Sequence, residues 1–176
     1  MKKIVLSLLL MSFIACEKEP SLQKYFVEKT ESSDFISVDM SPSILNIKPD
    51  ALSTEQQEAL KTFKKMNILA FKINDENKTK FDGERTKVKE ILKDEKYQQL
   101  MKFGSGKEGA AVYFVGKDDA IEEFVLYGSK DENGFAVVRV LGENMNPNNI
   151  MTLMSVLQKS KIDMEQLKPL EQLLKK

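Results

Sequence analysis

The chain has 176 residues, and its 27 Lys and Arg residues balance its 27 Asp and Glu residues, so the formal net charge is zero. That balance gives no indication of a nucleic-acid footprint, and the length suits one domain with a core of ordinary size. The lack of histidine excludes Ser-His-Asp and Cys-His catalysis and histidine metal ligands, and the single cysteine excludes an intramolecular disulfide.

The first predicted element is an export signal. Lys2 and Lys3 precede the run IVLSLLLMSFIA, residues 4–15, which is apolar apart from two serines. A membrane-spanning helix needs about 20 apolar residues, so this run is too short for a permanent anchor and has the pattern of a secretory signal peptide. We therefore expect residues 1–15 to be cleaved from the mature protein.

Cys16, the only cysteine, directly follows the small residue Ala15. This junction resembles a bacterial lipobox, although Phe13 stands where leucine is usual, and the resemblance implies a diacylglycerol on the Cys16 sulfur. Several acyl chains at about 0.8 kcal/mol per buried methylene give a stable anchor. Membrane lipid is therefore the first expected partner, and the alternative is a buried thiol that carries no lipid.

Residues 16–20 form the predicted tether. Lys18 and Glu19 resemble the short lysine-plus-acidic signal that sends some lipoproteins to the cell surface, and the alternative is an ordinary solvated spacer. At about 3.4 Å per residue, the tether holds the domain within roughly 20 Å of the lipid. We expect an exported, membrane-anchored protein of the outer membrane, on either its periplasmic or its cell-surface side.

The first part of the domain mixes helices and strands. A helix that starts at Ser53 or Thr54 is expected to place Phe63 and Met66 on its inward stripe. NILAFKI is nearly continuous in apolar residues, as a buried strand is. The predicted elements are a helix over 21–32, a strand over 35–40, the helix from Ser53, a strand over 67–73 and a charged helix over 78–103 that breaks near Asp94.

The second part begins with strands over 110–116, 120–128 and 135–142, joined by short polar turns. This spacing predicts an antiparallel meander. Asn146 is expected to cap a helix that has Pro147 in its first turn, and residues 163–176 form a final predicted segment. The fold expected is one α+β domain over residues 21–176, with a mainly antiparallel sheet of about five strands and helices packed largely on one face.

Four stretches carry a family resemblance: SLQKYFVEKTESSDFISVDMSPSILN, NILAFKI, VKEILKDEKYQQLMKF and GFAVVRVLGENMNP. They resemble the bacterial lipoprotein family catalogued as domain of unknown function 4252. The resemblance implies an exported, lipid-anchored α+β protein with no assigned activity. No functional residue is carried over from it.

Three charged or glycine-rich motifs have plain structural interpretations. GSGKEG, residues 104–109, matches the dinucleotide fingerprint but is predicted to leave a helix and enter a strand, which is the wrong order. SKDENG, residues 129–134, is predicted to be a hairpin turn, because Val140 stands where a calcium loop needs a bidentate glutamate. The carboxylate pairs at 118–119 and 122–123 are expected to be solvated surface charge.

Arg139 and Tyr113 are the candidate polar site residues. Arg139 interrupts the apolar strand FAVVRVL, where it either borders a polar pocket or snorkels from an outer, solvated face. No catalytic motif stands in the right context, so we expect neither an enzyme nor a cofactor. The function expected is a noncatalytic binding or assembly module that acts on another envelope protein. The alternative is a protein that binds a small molecule, lipid or glycan in a pocket between sheet and helices.

Replacing Cys16 with serine is expected to leave the domain folded and to move the protein out of the membrane fraction, because the serine cannot carry the thioether-linked lipid. Fractionation and immunoblotting of the wild type and of Cys16→Ser check this, with Glu17→Gln as a variant that keeps the anchor. Retention of Cys16→Ser in membranes would count against lipidation.

Exchanging both Lys18 and Glu19 for alanine is expected to reduce exposure on intact cells if the two residues are an export signal. Digestion of intact cells with an external protease measures the exposed fraction. Unchanged digestion would identify these residues as a spacer.

Overall fold

The computed structural model describes residues 20–45, 51–105 and 108–159. Its helices are α1 Leu22–Lys29, α2 Thr54–Thr62, α3 Phe81–Ile91 and α4 Pro147–Lys159. Its strands are β1 Phe35–Met40, β2 Phe63–Lys72, β3 Gln98–Ser105, β4 Glu108–Lys117, β5 Ala120–Lys130 and β6 Gly134–Met145. The predicted signal peptide, Cys16, Lys18, Glu19 and the final segment 163–176 lie outside the described residues.

Side-chain caps set where three of the helices begin. The Ser21 hydroxyl accepts a hydrogen bond from the Lys24 amide, and Ser53 forms a reciprocal capping box with Gln56. Asn146 Oδ1 accepts from the amide of Asn149, whose own side-chain oxygen accepts from the Asn146 amide. Each cap satisfies amides that the first helical turn leaves unpaired, and the predicted starts are confirmed.

The strands form one antiparallel six-stranded sheet in the order β1-β2-β6-β5-β4-β3. Strands β4, β5 and β6 are the predicted meander, and β3 extends it by a further hairpin. The predicted α+β class is confirmed, with one strand more than the five expected. Strands β1 and β3 are the two edges of the sheet.

Both faces of the sheet are apolar and both carry helices. On the first face, residues of α1 and α3 pack on Leu69, Val125 and Val137 in a core that also holds most of the aromatic rings. On the second face, Ala59 of α2 and Val156 of α4 pack with Phe124 and Val140. The expectation that helices pack largely on one face is therefore wrong. Strands such as FAVVRV are apolar at alternate and intervening positions, so each face needs a cover.

Two predicted helix boundaries are also wrong. Residues 98–103, predicted as helix, are most of strand β3, and Phe63 and Met66 lie on β2 because α2 ends at Thr62. An edge strand that is exposed on both faces has no alternating pattern, so residues 98–103 lack the signal from which strands are predicted. None of the helices among the described residues is long and apolar enough to cross a membrane.

Candidate functional site

Arg139 lies on the first face of the sheet beneath α1, where only 4% of the residue is exposed. Its Nε donates to Glu123 Oε1 at 2.6 Å and its Nη2 to Glu123 Oε2 at 3.2 Å, while Nη1 donates to Gln23 Oε1 at 2.7 Å. The guanidinium carbon lies 5.3 Å from the centre of the Phe26 ring. This two-point ion pair uses the planar geometry of arginine and ties β5 and β6 to α1.

This placement corrects two expectations. Arg139 is neither on an outer solvated face nor at the rim of an open pocket, since a carboxylate, an amide and a ring surround its head group. Glu123 is not solvated surface charge, because its side chain is 13% exposed and paired with Arg139. The neighbouring Glu122 and the turn residues Asp118 and Asp119 are exposed, as expected.

Tyr113 lies on the same face as Arg139 but is separated from it. Both residues pair across the sheet with Val125, which lies between them, so they are two strands or roughly 9–10 Å apart. Tyr113 is half-buried, and burial raises the pKa of its phenol. The structure therefore does not combine the two candidate residues in one site.

A second buried polar cluster joins α1 to α3. Tyr25 donates its hydroxyl to Glu84 Oε2 at 2.8 Å, and Lys29 and Lys87 bind Glu84 Oε1 at 3.2 and 2.8 Å. Burial raises the pKa of Tyr25, and the Glu84 carboxylate raises it further. For Glu84, burial opposes ionisation, but the three donors outweigh it and lower the pKa. Glu84 therefore stays ionised at neutral pH and keeps its three hydrogen-bond donors, so the cluster attaches α1 to α3.

A cavity of about 250 Å³ opens between the C-terminal half of α3 and strands β3–β5. Tyr113 and Tyr127 lie in its wall on the sheet side, and Leu92 lies in its wall on the helix side. Three lysines, Lys89, Lys93 and Lys102, stand around it together with one carboxylate, Glu108. This is a pocket between sheet and helix, and it contains Tyr113 but not Arg139.

Two side-chain hydroxyls in the cavity wall lack partners. Tyr127 Oη and Ser129 Oγ are buried beside each other, and neither forms a hydrogen bond with any other described residue. Burial raises the pKa of the Tyr127 phenol, and the adjacent Ser129 hydroxyl opposes that rise. A buried polar group without a partner costs roughly 1–3 kcal/mol. A ligand oxygen in the cavity would remove that cost.

Gly104, Glu108 and Gly109 of the glycine-rich motif border the same cavity. The motif connects β3 to β4, so the prediction that it connects a helix to a strand is wrong. A dinucleotide fingerprint must be followed by a helix, and here a strand follows, so that interpretation stays excluded. Gly104 has φ 73°, and a Cβ there would lie 2.6 Å from the Glu108 carbonyl oxygen. A Cβ on Gly109 would lie 2.6 Å from the Phe103 carbonyl oxygen. Glycine is needed here for close backbone pairing.

The predicted turn at 129–134 is a hairpin between β5 and β6, as expected. Its Asp131 accepts a hydrogen bond from Arg85 Nη1 of α3 at 2.6 Å. Within the described part of the chain, no three acidic or cysteine side chains are grouped so as to hold a metal ion.

Strand β3 presents an apolar edge. Every residue from Gln98 to Gly104 is exposed, among them Leu100, Met101 and Phe103, whose exposed fraction is 60%. Met101 and Phe103 pair with Val112 and Ala110 on the second face, whereas Lys102 pairs with Ala111 on the first face beside the cavity. Among the described residues, no strand pairs with the outer edge of β3.

Sequence reasoning missed most of these residues. Lys102 and Phe103 were not recognised because their strand was predicted as a helix. Tyr127 and Ser129 were not recognised because nothing in the sequence distinguishes them from other strand residues. The useful signal was the pair of glycines at 104 and 109, which are spaced for a hairpin. That pair would have predicted a strand before Gly104 as well as after Gly109.

A family model described as Domain of unknown function (DUF4252) matches residues 25–153. No curated protein and no solved structure matches the chain.

The Arg139–Glu123 pair yields a stability prediction. Arg139→Met is expected to lower the free energy of unfolding by about 3–5 kcal/mol, because it leaves the Glu123 carboxylate buried without its partner. Replacing both partners, as Arg139→Met with Glu123→Leu, is expected to recover most of the loss. Urea unfolding of the wild type, the single variant and the double variant measures the free energy of unfolding of each. A loss below about 1 kcal/mol in the single variant would contradict a strong buried pair.

Proposed function

The chain belongs to the family described as Domain of unknown function (DUF4252), and we propose that this protein is a lipid-anchored, noncatalytic binding module of the cell envelope. It recruits an extended segment of another envelope protein to the free edge of strand β3. The segment adds a seventh strand to the six-stranded sheet. Backbone hydrogen bonds supply affinity in this mode, and alternate side chains supply selectivity.

The exposed apolar edge of β3 is the observation that carries this proposal. Proteins usually protect a sheet edge with charge, proline or a covering segment. Here the side chains at 100, 101 and 103 are apolar and exposed, and Lys102 is the one charged residue between Gln98 and Gly104. A bulge interrupts the pairing with β4 between Gln99 and Met101. Regular pairing resumes at Met101, so residues 101–105 pair with β4 on one side and have an open edge on the other among the described residues.

An added strand would have different surroundings on its two faces. On the second face its side chains would lie beside Met101 and Phe103, and on the first face beside Lys102 and the mouth of the cavity. Such alternation favours a segment with apolar residues at every second position and a polar or acidic residue between them.

The expected anchor supports an envelope partner. Pro20, the first described residue, lies beside residues 90–95 at the end of α3. Only four residues follow Cys16 up to Pro20, so a lipid on Cys16 would hold this end of the domain near the membrane.

A second candidate function is binding of a small ligand in the cavity beneath α3. The unpartnered hydroxyls of Tyr127 and Ser129 favour it, since they would become satisfied on ligand binding. This function and strand addition use different parts of β3, since an added strand would pair with its outer edge whereas the cavity lies on the first face of the sheet.

Site-specific photo-crosslinking in living cells tests recruitment to β3. A photoreactive residue at position 103 is expected to form a discrete adduct with one envelope protein, identified by mass spectrometry. The same residue at position 27 is the matched control, because Val27 is an equally exposed apolar residue, at 67%, on helix α1.

A substitution on the same edge provides a second test of recruitment. The change Met101→Lys, made with the crosslinker at 103, is expected to reduce the adduct severalfold, since it puts a charge on the apolar edge. Identical adduct patterns from positions 103 and 27, or an adduct indifferent to Met101→Lys, would refute recruitment through this edge.

A further inference from the structure

The charge around the cavity is mainly positive. Lys89 and Lys102 form no ion pair with another described residue, whereas Lys93 binds Glu90 at 2.7 Å. Glu108 is the one carboxylate in the cavity wall among the described residues. Lys89 is on α3 and Lys102 is on β3, so these two exposed lysines border the cavity from opposite sides. An anion between them would be attracted by both.

The hydroxyls add uncharged donors deeper in the wall. Tyr127 Oη and Ser129 Oγ each carry one hydrogen and have no described partner beyond each other, so at least one hydrogen is left to donate to a ligand. A phosphate group offers several acceptor oxygens in one place, and it suits ammonium groups at the mouth together with hydroxyl donors behind them. Gly104 and Gly109 at the rim have no side chains that would narrow the entrance.

The remaining wall is apolar. Leu92 and Ala111 line the cavity beside the charged groups, together with the ring of Tyr113. Its volume of about 250 Å³ is below the roughly 300–1,000 Å³ of pockets that enclose drug-sized ligands. The cavity thus has room for a head group and the first few carbons of a chain, with the rest of the molecule outside.

The cavity lies close to the expected anchor. Lys93 borders it and also borders the surface depression that contains Pro20. With Cys16 lipidated, at most about 14 Å of chain separates the anchor from Pro20. The other residues around Pro20 include Glu90, Asp94 and Glu95, so the membrane-proximal end is not uniformly basic. The cavity wall, in contrast, holds three lysines and one carboxylate among the described residues.

From these observations we propose that the cavity binds the phosphate of a membrane lipid head group. Lys89 and Lys102 contact the oxyanion, Tyr127 and Ser129 donate to it, and the apolar wall contacts the adjoining carbons. The proposal rests on the second candidate function, ligand binding in this cavity, and names the ligand class. Bound lipid would orient the domain and leave the outer edge of β3 open to a protein partner.

Fluorine NMR of the protein labelled with 3-fluorotyrosine tests the proposal. The chain has four tyrosines, of which Tyr113 and Tyr127 line the cavity, whereas Tyr25 and Tyr97 do not. The protein is extracted from membranes in an uncharged detergent, and Tyr→Phe variants assign the four resonances. The probes are hexyl phosphate, hexanol and inorganic phosphate.

Hexyl phosphate is expected to shift the Tyr113 and Tyr127 resonances saturably, with those of Tyr25 and Tyr97 unchanged. Hexanol and inorganic phosphate are each expected to bind at least tenfold more weakly, because hexanol has no phosphate group and inorganic phosphate has no alkyl chain. Lys89→Gln and Lys102→Gln are each expected to lower the affinity for hexyl phosphate about fivefold, because each removes one positive charge beside the cavity. Lys117→Gln, which removes an exposed lysine that does not line the cavity, is the matched control.

Each contrary outcome has a separate meaning. Equal affinity for hexanol and hexyl phosphate would refute the phosphate site while keeping an apolar cavity function. Equal affinity for inorganic and hexyl phosphate would refute a lipid source and identify free phosphate as the ligand. Unchanged Tyr113 and Tyr127 resonances with every probe would refute ligand binding in the cavity altogether.

Discussion

The rest of the structure depends on a sheet that is apolar on both faces. Leu69, Val125 and Val137 require a cover on the first face, and Phe124 and Val140 require one on the second. The described helices are short, between 8 and 13 residues. They are therefore divided between the faces, and none of them covers β3. The apolar side chains of this edge strand stay exposed, and a partner that covers them would bury apolar surface.

Polar groups inside the fold show which parts are structural and which are free to bind. Arg139 and Glu123 satisfy each other beneath α1, and Tyr25 and Glu84 do so between α1 and α3. Around the cavity the pattern differs. The buried hydroxyls of Tyr127 and Ser129 have no described partner beyond each other, and the exposed Lys89 and Lys102 form no ion pair with a described residue. Satisfied buried groups stabilise a single packing, whereas unsatisfied groups that converge on a cavity are typical of a binding site.

Strand addition and lipid binding together suggest one physical role for the domain. A head group held beneath α3 would fix the orientation of the domain at the membrane. The outer edge of β3 would then face a protein partner at a short, defined distance from the lipid. Neither process needs a nucleophile or an acid-base pair, which agrees with a chain that has no histidine.

The sequence by itself determined the α+β class, the β4–β6 meander and the starts of the capped helices. These depend on local signals: apolar runs, short polar turns, and the caps at Ser21, Ser53 and Asn146. Only the tertiary structure decided that Arg139 faces inward, since both faces of its strand are apolar and a one-dimensional pattern cannot select between them. The structure likewise decided that residues 98–105 are a strand, because an exposed edge strand is specified by its pairing with β4 and not by its own periodicity.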